Sequence, residues 1–211
     1  MREKFSIRTF SSDEGLVKER RDYIMHRSTK LLTRKGYDPT SMRELAEVCE
    51  LSTGTLYHYF GSKEELLYYI IHSATTQQVE YLESFARDLE TAEPTMALVQ
   101  LVRRFFEWHD VNQDITLFTY QETKNLPRNA RQDIFDSEGR IHDLFERFLR
   151  RGIESGEFNI DDPSLTAHNI MVLGHAWALR RWYVRKYWTI ESYAKLQTDA
   201  ILKAIQAGVA H

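Results

Sequence analysis

Residues 40–63 constrain the fold more than any other stretch: Thr-Ser-Met-Arg-Glu-Leu-Ala-Glu-Val-Cys-Glu-Leu-Ser-Thr-Gly-Thr-Leu-Tyr-His-Tyr-Phe-Gly-Ser-Lys. Ser41 with Glu44 three residues later forms a capping box, so a helix starts here with Leu45, Val48 and Cys49 on its inner face. A short polar turn then leads into a second helix, in which Leu56 and Phe60 stand at i and i+4 and point inward. The outer side of that helix carries Thr53, Gly54, Thr55, Tyr57 and His58 instead of an apolar stripe. Two short helices joined by a tight turn, the second one polar outside, suit insertion into the major groove of DNA.

The rest of the chain is spaced for helices. Residues 17–35 place Val17, Ile24, Ser28, Leu31 and Leu32 near the period of an α-helix and end at Gly36, as a C-terminal cap does. Ser62 with Glu65 forms a second capping box, opening a helix from Lys63 to about residue 88. Pro94 opens another through residue 111, and residues 115–124 form a shorter one. Pro127 starts a long helix that Gly156 stops, Pro163 starts one to residue 187, and the last spans residues 190–207. No alternating strand pattern and no repeat appears. The expected fold is all-α, with an N-terminal three-helix helix-turn-helix head on a larger helical domain. The expected division is a flexible polar tail at 1–16, a DNA-binding domain at 17–63, and an effector-binding and dimerisation domain at 64–211. In the tail, Arg2, Lys4 and Arg8 belong either to a disordered leader or to an arm touching DNA.

The net charge of −3 looks wrong for a DNA-binding chain until it is divided. Residues 1–63 hold 12 Lys+Arg against 9 Asp+Glu, leaving 16 against 22 in residues 64–211. A basic head on an acidic body fits DNA binding by one end of the molecule. The single cysteine, Cys49, cannot form an internal disulfide, which points to the reducing cytoplasm. No run of about 18 apolar residues appears, so no membrane is expected as a partner.

The stretch Leu51-Ser52-Thr53-Gly54-Thr55-Leu56-Tyr57-His58-Tyr59-Phe60-x-Ser62-Lys63-Glu64-Glu65-Leu66, preceded by Gly36-Tyr37-x-x-Thr40-x-x-x-x-Leu45-Ala46, resembles the TetR family of transcriptional repressors. The resemblance covers about 50 N-terminal residues and agrees at about a dozen positions in order and spacing. It implies phosphate contacts for Thr40, Tyr57 and Lys63. The residues support a wider set on their own chemistry. Ser52, Thr53 and the helix N-terminus can donate to phosphate oxygens, and Tyr57 can reach one through its hydroxyl. Gly54 leaves room for DNA to approach the backbone, and Thr55 and His58 share the outer face. Lys63 offers an ammonium beside the free amides of the next helix.

In this family the C-terminal helices form a ligand pocket and a dimer interface. The aromatic content of this region supports a pocket independently, although an ordinary aromatic core explains it as well. Candidate effector residues are Phe106, Phe118, Gln121, Glu122, Phe148, Asn169, Trp177 and Arg181. The segment from Thr119 to Pro127, with Gly156-Glu157-Phe158 and Arg180-Arg181-Trp182-Tyr183, looks like the subgroup that senses acyl-CoA thioesters and controls fatty-acid, steroid or aromatic-acid catabolism. On that resemblance Arg180, Arg181, Arg185 and Lys186 would meet CoA phosphates; the competing reading is a solvated helix end.

Palindromic half-sites lie about 34 Å apart or more, which calls for two heads on a symmetric body. Ile170, Leu173, Gly174, Ala178, Leu196, Ala200 and Ile201 on the last two helices form a candidate homodimer face, or else pack within one subunit. Catalysis has little support. No phosphate-binding glycine loop appears, and His168 and His175 sit roughly 10.5 Å apart along one helix, too far to share a metal. Neither a cofactor nor a metal is implied, and no enzyme is expected. The expected function is a repressor that binds a double-stranded operator as a homodimer and is released by a small molecule, an acyl-CoA thioester by resemblance. The alternative is a constitutive DNA-binding regulator without an effector.

Overall fold

The computed structural model describes Phe5, Ile7 and residues 14–206. Ten α-helices occur among these residues: α1 (Glu14–Lys35), α2 (Met42–Val48), α3 (Thr53–Tyr59), α4 (Lys63–Arg87), α5 (Pro94–Val111), α6 (Gln113–Glu122), α7 (Arg128–Glu154), α8 (Pro163–Leu179), α9 (Arg181–Val184) and α10 (Ile190–Ile205). A 3-10 turn at Thr123–Asn125 follows α6. The fold is all-α: among the described residues there is no strand, only an isolated antiparallel bridge between Phe158 and Gln206. No helix among them is long and apolar enough to cross a membrane.

Two compact units divide the chain. The first takes residues up to Thr75 together with Phe118–Phe135; the second takes Thr76–Leu117 and everything from Asp136 on. The first unit is thus larger than the expected head at 17–63, since it includes the start of α4 and a segment distant in sequence. Helix α1 begins at Glu14, inside the stretch read as tail. Of the tail itself, Arg2, Lys4 and Arg8 lie outside the described residues, while the Phe5 ring sits 4.6 Å from Tyr68.

The interior of the first unit is built where the spacing placed it. Ile24 and Leu32 of α1, Leu45 and Ala46 of α2, Leu56 of α3, and Phe60, Leu66 and Leu67 are all buried. Each buried aliphatic or aromatic side chain of this size contributes about 1.5–3 kcal/mol of transfer free energy. Ser28 reads as apolar by position because it is fully buried, with its hydroxyl 3.6 Å from the Cys49 sulfur. Burial pushes the Cys49 thiol up from its ordinary value, so it stays protonated and packs as a small hydrophobe.

The second unit is organised on α5, against which both α8 and α10 pack. Phe105, Phe106, Phe145, Phe148 and Trp177 are completely buried in one continuous core. Gly174 of α8 makes this possible: a Cβ there would lie 2.3 Å from Cε1 of Phe105. Ile170, Gly174 and Ala178, expected on a dimer face, are therefore buried in their own subunit, because α8 turns its small-residue side onto the Phe105 ring. Leu165 and Val172 of α8 and Leu196 of α10 are the large apolar side chains that remain exposed on these two helices. The N-terminus of α5 has no cap from Glu93; instead Glu157 accepts from the Thr95 N–H at 3.0 Å and from its hydroxyl at 2.6 Å.

Helix α8 stops at Leu179, eight residues before the expected end at 187. Arg180 leaves helical geometry at φ −113° and ψ 23°. Beyond it, Arg181 pairs with Asp114, and Arg185 pairs with Asp110 at 2.9 Å. Asp110 also accepts from the Trp177 indole N–H at 2.8 Å.

Candidate nucleic-acid interface

The supporting helix α2 starts as its sequence demands. Ser41 accepts from the Glu44 N–H, and the Glu44 carboxylate accepts in return from the Ser41 N–H at 2.9 Å. The ring of donors around Glu44, which includes Lys35, lowers its carboxyl to about 2, with the Lys35 contact the largest cause. Ser41 is the cap. Thr40 is 1% exposed and its hydroxyl donates to the Gly36 carbonyl at 2.7 Å, so the expected phosphate contact through that hydroxyl has no free donor in this arrangement.

The turn between α2 and α3 is made by Glu50 in the left-handed region at φ 57°, which lets the Leu51 N–H reach back to the Ala46 carbonyl at 2.9 Å. Ser52 then caps α3 by accepting from the Thr55 N–H at 3.0 Å, and its hydroxyl also meets the Thr55 hydroxyl at 2.8 Å. Leu56 and Phe60 are fully buried as expected. Facing outward from this anchored helix are Gly54, Tyr57 (46% exposed) and His58, with Thr53 and Thr55 half-buried beside them. The His58 ring packs edge-on to Tyr59 at 5.4 Å. A Cβ on Gly54 would meet only the Ser52 hydroxyl, at an ordinary 3.8 Å.

Three side chains of α1 hold these short helices, and none was visible to sequence reasoning. Arg21 donates to the Tyr59 carbonyl at 3.1 Å, Tyr23 to the Cys49 carbonyl at 3.3 Å, and Arg27 to the Val48 carbonyl at 2.8 Å. Each satisfies a carbonyl at or next to a helix C-terminus, where backbone acceptors lack intrahelical partners. Their signal in sequence is faint, because Arg and Tyr read as a solvated face.

Lys63 has partners within the chain. Its ammonium donates to the Tyr37 and Thr40 carbonyls, each at 2.8 Å, and lies 4.0 Å from the centre of the Tyr37 ring. It braces the turn before α2. The second capping box is also modified. Ser62 accepts from the Glu65 N–H at 3.1 Å, but the Glu65 carboxylate reaches one residue further back, to the Gly61 N–H at 2.9 Å.

A family model described as bacterial regulatory proteins, tetR family, matches residues 24–70, and one described as tetracyclin repressor-like, C-terminal domain, matches residues 91–205. The chain belongs to the TetR family. Among relatives, the HTH-type transcriptional regulator HbdR of Aromatoleum sp. (strain CIB) is 28% identical over 191 residues, covering 90% of this chain and 82% of that protein. The HTH-type transcriptional repressor KstR2 of Mycobacterium tuberculosis (strain ATCC 25618 / H37Rv) is 26% identical over 173 residues, covering 80% and 84%. Among solved structures, PfmR from Thermus thermophilus superposes with a TM-score of 0.75 at 30% identity, covering 89% of this chain and 99% of that one. AibR, solved with isovaleryl coenzyme A and operator DNA, shares the fold with a TM-score of 0.73 at 22% identity, covering 86% and 97%. The protein is therefore a TetR-type transcriptional regulator with a helix-turn-helix head.

The expected effector residues divide between the units. Phe118, Gln121 and Glu122 belong to the first; Phe106, Phe148, Asn169, Trp177 and Arg181 belong to the second. Within the second unit Phe106, Phe148 and Trp177 are packed core, Asn169 is exposed on the outer side of α8, and Arg181 is paired with Asp114. In the first unit Phe118 is buried, Gln121 is exposed, and Glu122 accepts from the Asn125 amide at 2.7 Å. Two surface grooves of the second unit, about 230 and 400 Å³, are lined by other residues, among them Arg103, Arg104 and Glu107 in one and Arg147, Arg150 and Glu154 in the other.

The second unit also encloses a polar cluster that sequence reasoning missed. His109 of α5 lies between Gln78 at 3.0 Å and Thr116 at 3.1 Å, and its ring meets His175 of α8 edge-on at 4.7 Å. Burial lowers His109 well below the ordinary histidine value and His175 to about 4, while it pushes Glu138 on α7, 3.9 Å from His175, up to about 7. The sequence spacing kept His175 roughly 10.5 Å along the helix from His168. The tertiary fold pairs it with His109, and His168 stays exposed.

Proposed function

We propose that this regulator binds a palindromic operator as a homodimer, represses transcription there, and is released by a small-molecule effector of the acyl-CoA thioester class. The observation that carries DNA reading is Gly54. A glycine inside a short helix costs about 0.5–1 kcal/mol against alanine, yet neither a positive φ nor a crowded Cβ requires one here. The reason for it lies outside the chain, in a surface that must come close to the backbone. Thr53, Thr55, Tyr57 and His58 flank it and supply donors for base edges and phosphates, and Ser52 with the free amides of the α3 N-terminus suits a phosphate. Such a protein acts in the cytoplasm, where the operator is.

The homodimer reading rests on Leu165 and Val172 of α8 and Leu196 of α10, exposed apolar side chains on two helices that share α5 as their support. Two such helices from each protomer make a four-helix bundle. The effector reading draws on AibR, solved with both a CoA thioester and operator DNA. Release then needs only a differential affinity of about 1–3 kcal/mol between the two head arrangements, which weakens operator binding about 5–150-fold. Helix α4, which contributes to both units, is the proposed lever.

Operator selection from random DNA, followed by release assays with CoA thioesters and the corresponding free acids, tests the whole reading. Release by thioester and not by acid is expected. The dense packing of Phe105 against Gly174 favours a second reading, a regulator without an effector, and indifference to every thioester and acid would select it.

A further inference from the structure

The segment 124–132 joins α6 to α7 and carries Lys124, Arg128 and Arg131 with no acid. It belongs to the first unit, together with the helix-turn-helix. Other cations of that unit are paired: Arg27 with Glu50, Lys35 with Glu44, Arg43 with Glu47. Lys124, Arg128 and Arg131 enter no ion pair among the described residues. The acids nearest in sequence are taken elsewhere. Glu122 accepts from the Tyr37 N–H at 3.5 Å and from the Asn125 amide at 2.7 Å, and Asp133 accepts from the Tyr68 hydroxyl at 3.0 Å. The segment is also anchored. Leu126, Ala130 and Ile134, spaced four apart, are buried, which leaves Arg128 on the outer side of α7 and Arg131 on its flank.

Helix pairing brings these cations to the level of the head. Glu83 pairs with Arg140 and Glu90 with Arg147, so seven residues along α4 match seven along α7 and the two helices run in the same direction. Arg128 stands five residues before Asp133, and Lys63 five before Tyr68, the hydrogen-bond partner of Asp133. Five residues are roughly 7.5 Å of helix, so Arg128 lies at the level of Lys63, which clamps the Thr40 carbonyl before α2. Glu122, two residues before Lys124, holds Tyr37 in that same turn. In a helix-turn-helix the first helix crosses the DNA backbone while the second enters the groove. The start of α2 is therefore where phosphates pass. Resting on the DNA-binding reading above, we infer that Lys124, Arg128 and Arg131 form a second DNA contact, holding backbone phosphates that flank the bases under α3. Unpaired cations suit this ligand, and Arg holds phosphate through two parallel donors. No base-reading helix accompanies them, so the contact adds affinity by counterion release without adding sequence preference. A segment expected to serve the effector domain is thereby assigned to the operator.

The test uses the full chain and an operator selected from random DNA, prepared as two duplexes. One is cut at the outermost selected base pair; the other is extended at each end by one helical turn of arbitrary sequence. The wild type should bind the extended duplex tighter, with a slope of log K against log salt steeper by about one for each added phosphate contact. Lys124→Ser, Arg128→Ser and Arg131→Ser in one variant should weaken binding to the extended duplex roughly tenfold and erase the difference between the two duplexes. Base preference and melting temperature should stay as in the wild type. Arg128→Lys with Arg131→Lys keeps the charge and should keep the length dependence, which separates a lost contact from a disturbed fold if the serine variant melts early. Equal affinities and slopes of the wild type on the two duplexes, with base preference retained, would overturn the flanking contact and leave the DNA-binding reading intact. A serine variant that loses affinity equally on both duplexes would overturn it as well. Failure of the wild type to select any sequence would sink the DNA-binding reading, and this contact with it.

Discussion

The Lys63 ammonium donates to the Thr40 carbonyl at 2.8 Å, so the first residue of α4 clamps the residue that precedes the α2 cap. The same ammonium holds the Tyr37 carbonyl and covers the Tyr37 ring. One cation thereby orders the turn from which α2, and through it α3, are set. Lys63→Ala should lower the stability of the chain by about 1.5–3 kcal/mol, the range for hydrogen bonds to a charged group. Operator affinity should fall through a disordered turn, with the slope of log K against log salt unchanged. A slope smaller by about one with an unaltered melting temperature would return the ammonium to a phosphate.

Gly54→Ala separates folding from reading. The melting temperature should rise, reflecting about 0.5–1 kcal/mol of added helix stability, because the new methyl group meets only ordinary contacts. Operator affinity should fall by roughly tenfold, about 1.4 kcal/mol. A variant that is more stable and binds as tightly as wild type would show that the glycine face does not approach DNA.

Glu138→Gln should change how stability depends on pH. Burial raises the Glu138 carboxyl to about 7, so ionising it opposes folding. That cost is absent below the ordinary carboxyl value, grows as pH rises from about 4.5 to 7, and is constant beyond. The glutamine variant should match wild type in stability near pH 4.5 and exceed it above pH 7 by about 1–2 kcal/mol, after discounting for the third of the side chain open to solvent. The histidines act in the other direction. His175 is lowered to about 4, so its protonation costs stability as pH falls from 6.5 towards 4 in both proteins. Denaturant midpoints at a series of pH values decide the matter; parallel curves for the two proteins would remove Glu138 from the account.

Leu196→Asp and Gly174→Ala should have opposite signatures. Leu196 is 54% exposed on α10, so a charge there should leave the melting temperature of the protomer nearly unchanged and yield monomers in sedimentation. Gly174→Ala drives a methyl group into Phe105 and should cost about 1–3 kcal/mol of stability, with the dimer retained. A dimeric Leu196→Asp protein would move the interface elsewhere.

The head was legible in advance because its signals are local. The Ser41–Glu44 box, the Leu56–Phe60 pair and the outward placement of Tyr57 and His58 follow from residues within one or two helical turns of each other. Helix starts at Lys63, Pro94 and Pro163 were equally plain, since proline and capping residues act on their own backbone. What escaped notice depends on partners distant in sequence. Arg27 reads as a solvated charge until the Val48 carbonyl arrives from 21 residues away, and His175, too far along its own helix from His168 to pair with it, gains a ring partner only when α5 delivers His109.

The sequence by itself determined that this chain is all-α, where most of its helices begin, and which short helix keeps a polar outer face, because caps, glycines and periodic apolar residues act over a few residues. Only the tertiary structure decided which cations remain available. Lys63 is taken by carbonyls and Arg181 and Arg185 by aspartates, while Arg180 and Lys186 are left beside exposed rings. It likewise turned Gly174 inward onto Phe105 and left Leu196 outside. The division has a single physical cause. Backbone preference is fixed by a residue and its near neighbours, whereas the pairing of a charge and the burial of a face depend on what another part of the chain brings within reach.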